Sequence, residues 1–127
     1  MSLFTWSDKY SIGNDEIDNQ HKMLFDILNR LFDICVGRNK TDTVEEVMNE
    51  LVSYTNYHFK FEEQYMRDVG YKDLNKHIEQ HNYFTIEIKI ANRRQLQDKC
   101  CTDNKLIEFL SNWLIQHVTE EDIKYVN

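Results

Sequence analysis

The stretch at residues 58–81, HFKFEEQYMRDVGYKDLNKHIEQH, contains two pairs of candidate metal ligands separated by a predicted turn at Gly70. The pairs are His58 with Glu62 and His77 with His81. Residues four apart lie on the same face of an α-helix, with Cβ atoms about 5–6 Å apart. Because Gly70 suits a left-handed helix end and the link at 70–73 is short, the stretch predicts two antiparallel helices that each present one ligand pair.

Helical periodicity extends from this stretch over most of the chain. Apolar or histidine residues recur at alternating three- and four-residue steps, which average close to the helical period. The segments with this pattern are Ile17 to Cys35, Val44 to Val69, Leu74 to Ala91 and Leu106 to His117. The connections at about 38–42, 70–73 and 98–103 are short, so the sequence predicts an all-α fold, an antiparallel up-down-up-down four-helix bundle.

A chain of 127 residues is long enough for one domain with its own hydrophobic core. We expect a single domain at residues 1–127, with an irregular N-terminal arm at 1–16 and the bundle and a C-terminal turn at 17–127. The arm contains the aromatic residues Phe4, Trp6 and Tyr10.

Capping residues mark the expected helix boundaries. Asp18 is expected to cap the first helix, and Asp42-x-x-Glu45 has the spacing of a capping box at the start of the second. Gly37, like Gly70, stands where a left-handed C-terminal turn is expected. The candidates for the start of the fourth helix are Thr102 and Asp103.

Composition and charge argue against several classes of partner. Hydrophobic residues make up 41% of the chain and charged residues 29%, which is ordinary for a globular protein. The net charge of −7 disfavours nucleic acid and anionic membrane surfaces as partners. The chain has no apolar run of membrane-spanning or signal-peptide length, so we expect a cytoplasmic protein. Cys35, Cys100 and Cys101 are expected to be free thiols in a reducing compartment.

The other two histidines complete one candidate site in the predicted bundle. His21 lies near the start of the first helix and His117 closes the fourth, both on apolar stripes. In an up-down-up-down bundle, the starts of the first and third helices meet the ends of the second and fourth, so all five histidines fall in one layer. Asp122 reaches the same layer if the last helix ends near Val118 and the chain turns back.

Five histidines and two carboxylates predict a site for two transition-metal ions. A lone histidine on an apolar stripe is more often a hydrogen-bonded core residue than a metal ligand. Several buried imidazoles beside a buried carboxylate are costly, however, and two divalent cations remove that cost. Imidazole suits iron, zinc, copper and nickel, and carboxylate oxygens can bridge a metal pair.

Four groups of residues spread over nearly the whole chain form one pattern. They are Trp6-x-x-x-Tyr10-x-x-Gly13-x-x-x-Ile17-Asp18-x-Gln20-His21, His58-Phe59-x-x-Glu62-Glu63, His77-x-x-x-His81 and Trp113-Leu114-x-x-His117-x-x-x-x-Asp122. With this pattern the chain resembles the hemerythrin family, specifically the bacterial hemerythrins, at all seven ligand positions.

The resemblance implies a non-haem di-iron centre with two iron ions and an oxo or hydroxo bridge. One iron would be held by His77, His81 and His117, and the other by His21 and His58. The bridging carboxylates would be Glu62 and Asp122. The two-histidine iron would keep an open position for dioxygen, and the oxygen pocket of the family corresponds to Leu24, Phe59, Trp113, Leu114 and Val118.

The imidazole N–H groups also need hydrogen-bond partners. The sequence offers Gln20, Glu63 and Gln116 as candidates and does not choose among them.

These implications favour a non-enzymatic protein that binds dioxygen reversibly for storage, delivery or scavenging. Imidazoles outnumber carboxylates in the predicted site, which stabilises high-valent iron less well than the carboxylate-rich sites of oxygen-activating bundles. The alternative is an oxygen, redox or nitric-oxide sensing module that acts with a separate or missing output domain. A third hypothesis is an enzyme that acts on peroxide or nitric oxide, or an iron store. The metal's identity depends on the resemblance, because the same ligands suit zinc or manganese.

Overall fold

The computed structural model describes residues 5–98 and 104–118, with side chains at 5–94 and 108–118. Within those residues the chain forms four α-helices and one short 3-10 helix, and no strand. The α-helices are α1 (Asp15–Cys35), α2 (Val44–Asp68), α3 (Leu74–Asp98) and α4 (Asn104–Gln116). Helix α1 packs against α2 and α4, and α2 packs against α3. The predicted all-α four-helix bundle is confirmed.

The N-terminal segment contains more helix than the irregular arm that the sequence predicted at residues 1–16. A 3-10 helix spans Asp8–Tyr10, and α1 already begins at Asp15. The rings of Trp6 and Tyr10 lie 5.6 and 5.2 Å from the ring of Phe25, between centroids. Phe4 lies outside the described residues. These ring contacts attach the segment to the side of α1.

The prediction that Asp18 caps α1 is wrong. The N-cap is Asn14, whose side-chain oxygen accepts a hydrogen bond from the Ile17 N–H at 3.1 Å. Asp18 lies inside the helix, where its carboxylate accepts hydrogen bonds from the Ser11 hydroxyl at 2.5 Å and from the Ile12 N–H at 2.9 Å. Because buried donors need acceptors, Asp18 holds the N-terminal segment against the bundle.

The N-cap of α2 lies one residue beyond the position that the sequence predicted. Thr43 is the N-cap, and its hydroxyl oxygen accepts a hydrogen bond from the Glu46 N–H at 3.1 Å. The Asp42 carboxylate is engaged elsewhere, because it accepts hydrogen bonds from Asn39 Nδ2 at 2.9 Å and from Arg30 Nε at 3.3 Å. Asp42 therefore fixes the link between α1 and α2 instead of capping a helix.

The glycines predicted at the ends of α1 and α2 have the expected backbone conformation. Gly37 has a φ of 79° and Gly70 a φ of 69°, in the left-handed region that favours glycine. A Cβ built at either position would have nothing within 4 Å, so the φ angle and not crowding requires glycine there. The predicted start of the fourth helix at Thr102 or Asp103 lies outside the described residues.

Two apolar clusters lie on either side of a layer of buried histidines. The larger cluster comprises Leu24, Phe25, Ile27, Leu28, Leu31, Val47, Met48, Leu51, Phe59, Phe84, Ile88, Leu110, Leu114 and Val118. The smaller comprises Ile12, Ile17 and Met66. Along α1, for example, the order is Ile17, His21 and Leu24, so the polar layer is enclosed from both sides. None of the helices among the described residues is both long and apolar enough to cross a membrane.

Candidate metal centre

All five histidines predicted as ligands are buried in one layer of the bundle. Their exposed fractions are 0% for His21, 1% for His58, 2% for His77, 1% for His81 and 3% for His117. The first four lie within α1, α2 and α3, whereas His117 lies in a π-helical turn that directly follows α4. The four-residue spacings on α2 and α3 therefore direct both predicted pairs into the core.

The first group of candidate ligands consists of two histidines and a carboxylate. His58 Nε2 lies 2.8 Å from Glu62 Oε1, and His21 Nε2 lies 3.9 Å from Glu62 Oε2. One ligand atom from each of the three residues lies within 4.8 Å of the others. That spacing is close to what ligand atoms about 2.0–2.2 Å from a common ion require.

The second group contains three histidines and the same carboxylate. His81 Nε2 lies 3.0 Å from His117 Nε2 and 3.5 Å from Glu62 Oε1. The ring centroids of His77 lie 4.6 Å from those of both His81 and His117. The ligand atoms of all four residues lie within 4.8 Å of one another. Glu62 is fully buried and belongs to both groups, so it can bridge two ions.

Two of the imidazoles have an acceptor on the nitrogen that faces away from the centre. His58 Nδ1 lies 2.6 Å from Gln20 Oε1, and His81 Nδ1 lies 3.0 Å from Glu63 Oε2. Carbonyl and carboxylate oxygens only accept, so each Nδ1 carries the hydrogen and donates it. The Nε2 lone pairs of His58 and His81 therefore face the centre. Of the three candidate partners from the sequence, Gln20 and Glu63 make these contacts.

The atoms that face one another in the two groups show whether the residues can hold a metal ion. The His58 Nε2 lone pair faces a carboxylate oxygen at 2.8 Å, and His81 Nε2 faces another imidazole nitrogen at 3.0 Å. The His58 Nε2 lone pair and the Glu62 carboxylate oxygen repel at such a distance unless a cation lies between them. Imidazole nitrogen and carboxylate oxygen are ligands of divalent transition metals. The donor set fits a metal ion in each group.

The Glu63 carboxyl that binds His81 lies in a partly apolar environment. Burial raises its pKa above the ordinary value of 4.5, whereas the nearby positive charges of Arg67 and Lys60 act in the opposite direction. A lower local dielectric also strengthens its attraction to the imidazole N–H.

Four of the five residues predicted for the oxygen pocket are buried members of the larger apolar cluster, namely Leu24, Phe59, Leu114 and Val118. The fifth, Trp113, is half-buried and packs against this cluster. Phe59 stacks on His81 with centroids 3.8 Å apart and lies 5.9 Å from His58, so it borders both ligand groups. Trp113 stacks on His117 at 4.5 Å. Apolar rings thus cover the imidazoles on the side of the main core.

Sequence reasoning missed Gln80, which lines a cavity beside the centre. The cavity has a volume of about 210 Å³, and its described lining is Gln80, Trp113, Gln116 and His117. Gln116 was a candidate hydrogen-bond partner of an imidazole but lies in this lining instead. The only sequence signal for Gln80 is its place between His77 and His81. Asp122, the predicted second bridging carboxylate, lies outside the described residues.

A four-helix bundle that buries a layer of histidines around a shared carboxylate defines a class, the bundle proteins with a histidine–carboxylate metal centre. A protein-family model described as the hemerythrin HHE cation binding domain matches residues 12–127. The chain therefore belongs to the hemerythrin family, as the sequence pattern predicted.

Individual relatives agree with this assignment. A bacteriohemerythrin of Clostridium acetobutylicum is 30% identical, over 98% of this chain and 100% of the relative. A bacteriohemerythrin of Pseudomonas aeruginosa is 35% identical, over 100% of this chain and 82% of the relative. A crystal structure of wild-type hemerythrin superposes with a TM-score of 0.87 at 26% identity, covering 98% of this chain and 95% of that chain. The similarity therefore extends over essentially the full fold.

Proposed function

We propose that this chain binds dioxygen reversibly at a non-haem di-iron centre. The proposed ligands are His77, His81 and His117 for one iron, His21 and His58 for the other, and Glu62 and Asp122 as bridges. Hemerythrins bind non-haem iron and dioxygen, which supports this function for a member of the family. We also propose that residues 1–127 form a single domain and that the protein is cytoplasmic, where a reducing environment keeps its cysteines as thiols.

The observation that carries the proposal is the position of Glu62. Its two carboxylate oxygens face different histidines, with Oε1 at 2.8 Å from His58 and Oε2 at 3.9 Å from His21, while Oε1 is also 3.5 Å from His81. A fully buried carboxylate shared by two groups of imidazoles is suited to bridge two cations, and without cations the burial of its charge would be costly.

When bound, a pair of ferrous ions supplies the two electrons that reversible dioxygen binding requires. The chain holds the site for them: Gln20 and Glu63 accept the Nδ1 hydrogens of His58 and His81, which fixes both rings with Nε2 inward. Phe59 and Trp113 cover the rings of His81 and His117. Their role is to exclude the water and protons that promote irreversible oxidation.

We propose a binding protein and not an enzyme. The five pocket residues Leu24, Phe59, Trp113, Leu114 and Val118 provide no carboxyl, amine, hydroxyl or imidazole for acid–base chemistry on an organic substrate. The polar groups of the described centre are the candidate ligands and their hydrogen-bond partners, and the described lining of the adjoining cavity adds the neutral amides of Gln80 and Gln116. A pocket of this composition admits a small apolar molecule such as dioxygen.

The test is metal analysis combined with an optical spectrum of the protein with and without air. We expect two irons per chain and a colour change that reverses when oxygen is removed. The variant His58→Ala should lose the iron that binds oxygen, whereas Cys100→Ser should leave the visible spectrum unchanged. Catalytic consumption of nitric oxide far faster than autoxidation, or a protein that stays metal-free and colourless in air after anaerobic iron loading, would refute the proposal.

A further inference from the structure

A row of aromatic rings connects the candidate ligand His117 to the surface of α3. Trp113 stacks on His117 with centroids 4.5 Å apart and 14° between the ring planes. Phe84 stacks on Trp113 at 4.2 Å and 19°. Phe109 lies 6.2 Å from Phe84 and 6.2 Å from Tyr83. The Tyr83 side chain is 52% exposed, so the row runs from the centre to solvent.

A second candidate ligand joins the same row. Phe59 stacks on His81 at 3.8 Å with 2° between the planes, and it lies 6.1 Å from Phe84 and 6.0 Å from Trp113. Electron tunnelling weakens steeply with every ångström of empty space, because the wavefunction decays faster there than through packed atoms. Closely packed rings therefore favour this direction for electron transfer between the centre and the surface.

The exposed end of the row lies in an apolar stripe, which we call the Tyr83 stripe. It consists of Tyr83, Ile86 and Ile90, with exposed fractions of 52%, 56% and 38%. Their spacing of three and then four residues places them on one face of α3. Large apolar side chains that are exposed next to one another on a helix are typical of an interaction surface.

Basic residues border one end of the Tyr83 stripe. From Ile88 to residue 94, where the described side chains of α3 end, the charged residues are Lys89, Arg93 and Arg94, all exposed. Acidic side chains also flank the stripe, at Glu79 and Glu87 of α3, and Glu108 precedes Phe109 on α4. The positive charge is therefore concentrated at the Ile90 end, in a chain with a net charge of −7. An acidic partner is attracted to this end and repelled by most of the remaining surface.

We infer that the Tyr83 stripe is the docking site for an acidic one-electron carrier that reduces the centre through the row of aromatic rings. The inference rests on the proposed function, since a di-iron oxygen carrier that has lost its electrons needs a reductant before it binds dioxygen again. Each docked carrier gives up one electron and is itself oxidised by one electron. Two encounters would supply the two electrons that a bound pair of ferric ions needs to become ferrous, and no atom would be transferred.

Another aromatic residue offers a competing route to the surface. Tyr71 lies 6.4 Å from His77 between ring centroids and is half-buried. Its sequence neighbours Lys72 and Asp73 have opposite charges, and Val69 is the one exposed large apolar residue near it in sequence among the described residues. The Tyr83 stripe combines exposure, apolar surface and positive charge, so it is the better docking site.

Stopped-flow reduction of the oxidised, iron-loaded protein tests the route, with a reduced plant-type [2Fe–2S] ferredoxin as the probe. We expect Tyr83→Leu to lower the limiting rate at saturating ferredoxin several-fold. Tyr57→Leu is the matched control, because Tyr57 on α2 is also 52% exposed and is not part of the row. If Tyr71→Leu slows reduction and Tyr83→Leu does not, electrons enter elsewhere and the inference is wrong.

Docking is tested separately by charge reversal. Replacing Lys89 and Arg93 together by Glu should lower the second-order rate constant at low salt by about tenfold or more, because steering raises association rates by roughly 10- to 1000-fold. The loss should shrink at high salt. Equal rates for the parent and the doubly substituted protein at low salt would overturn the docking site.

A nuclear magnetic resonance titration gives a readout that does not depend on electron transfer. Adding oxidised ferredoxin should shift the amide signals of residues 83–94 and leave those around Tyr57 unchanged. Shifts confined to another face, or none at all, would contradict the docking site. Air-dependent colour changes of the same variants are recorded in parallel. If the parent does not change colour with air, the proposed function fails, whereas the docking result is still read from the titration.

Discussion

The hydrogen bond between His58 and Gln20 offers a sharp test of how the chain holds its centre. His58 Nδ1 lies 2.6 Å from Gln20 Oε1, and Gln20 is only 3% exposed, so water cannot easily replace the acceptor. The substitution Gln20→Leu keeps a side chain of similar size and removes the acceptor. The imidazole N–H is then left buried without this partner, and the ring is no longer held with Nε2 toward Glu62.

The size of the effect follows from the burial. A buried donor left without an acceptor costs about 1–3 kcal/mol, which corresponds to about 5- to 150-fold in an equilibrium constant. Loss of the hydrogen-bond partner of a metal-binding histidine typically lowers metal affinity by about 10- to 100-fold. The two figures overlap, so we expect Gln20→Leu to weaken the metal site that contains His58 by about one to two orders of magnitude.

Iron titration against a competing chelator, followed by absorbance, measures this change. The parent gives the reference affinity of each of the two sites, and Gln20→Leu should weaken one of them and leave the other close to its parent value. Gln20→Glu retains an acceptor and is the matched control, and it should bind close to the parent. Glu63→Leu should weaken the other site, which contains His81. Equal weakening of both sites by Gln20→Leu, or the same loss with Gln20→Glu, would refute the reasoning.

Three other substitutions test the core, a helix end and a charged link. Phe59→Ala removes the ring stacked on His81, so it should lower the free energy of unfolding, measured in urea, by about 3–5 kcal/mol. The same variant should autoxidise faster, and an unchanged autoxidation rate would contradict a water-excluding role for Phe59. Gly70→Ala, at a φ of 69°, should cost about 1 kcal/mol in thermal unfolding, and no loss would mean that the turn relaxes. Hydrogen bonds from Asn39 and then Arg30 lower the pKa of Asp42 in the folded protein below the ordinary value of 3.8. The ionised Asp42 therefore stabilises the fold above pH 3.8, and this contribution is lost as the pH falls through the lowered pKa. Asp42→Asn should remove this part of the acid-induced loss in unfolding experiments over a pH series, and an identical pH profile would contradict it.

The sequence predicted the helices and the paired ligands well because both depend on local periodicity. Residues such as His77 and His81 are four apart, and a helix alone places them on one face. Short links then force antiparallel neighbours, which is enough to bring His21 and His117 to the same layer. The burial of all five histidines follows from these two rules, with no knowledge of individual contacts.

Contacts between distant segments explain where sequence reasoning failed. Asp18 has the residue type of an N-cap, but the Ser11 hydroxyl and the Ile12 N–H reach its carboxylate once the N-terminal segment folds back on α1. Asp42 is likewise taken up by Arg30 of α1. Asp18 and Asp42 are residue types that often cap helices, but each is engaged in a tertiary hydrogen bond here. Asn14 and Thr43 cap the two helices instead.

Tertiary packing also decides which residues accept hydrogen bonds from the imidazoles. Gln20, Glu63 and Gln116 each stand next to a histidine or a candidate ligand in sequence, so sequence position does not separate them. In the fold, Gln20 of α1 meets the histidine of α2, and Glu63 of α2 meets a histidine of α3. The partner belongs to the neighbouring helix, and the rotation of that helix decides which glutamine or glutamate reaches the ring.

The fold and the centre depend on the same residues, which explains why one pattern predicts both. The buried histidine layer lies between Ile17 and Met66 on one side and Leu24 and Phe84 on the other. Burying Glu62 and the imidazoles opposes folding, whereas the apolar clusters on both sides favour it. An ion that binds only the folded chain shifts the balance toward the native state in proportion to the logarithm of its concentration over its dissociation constant. Metal binding and folding are therefore coupled, and a change that loosens either apolar cluster weakens the centre without touching a ligand.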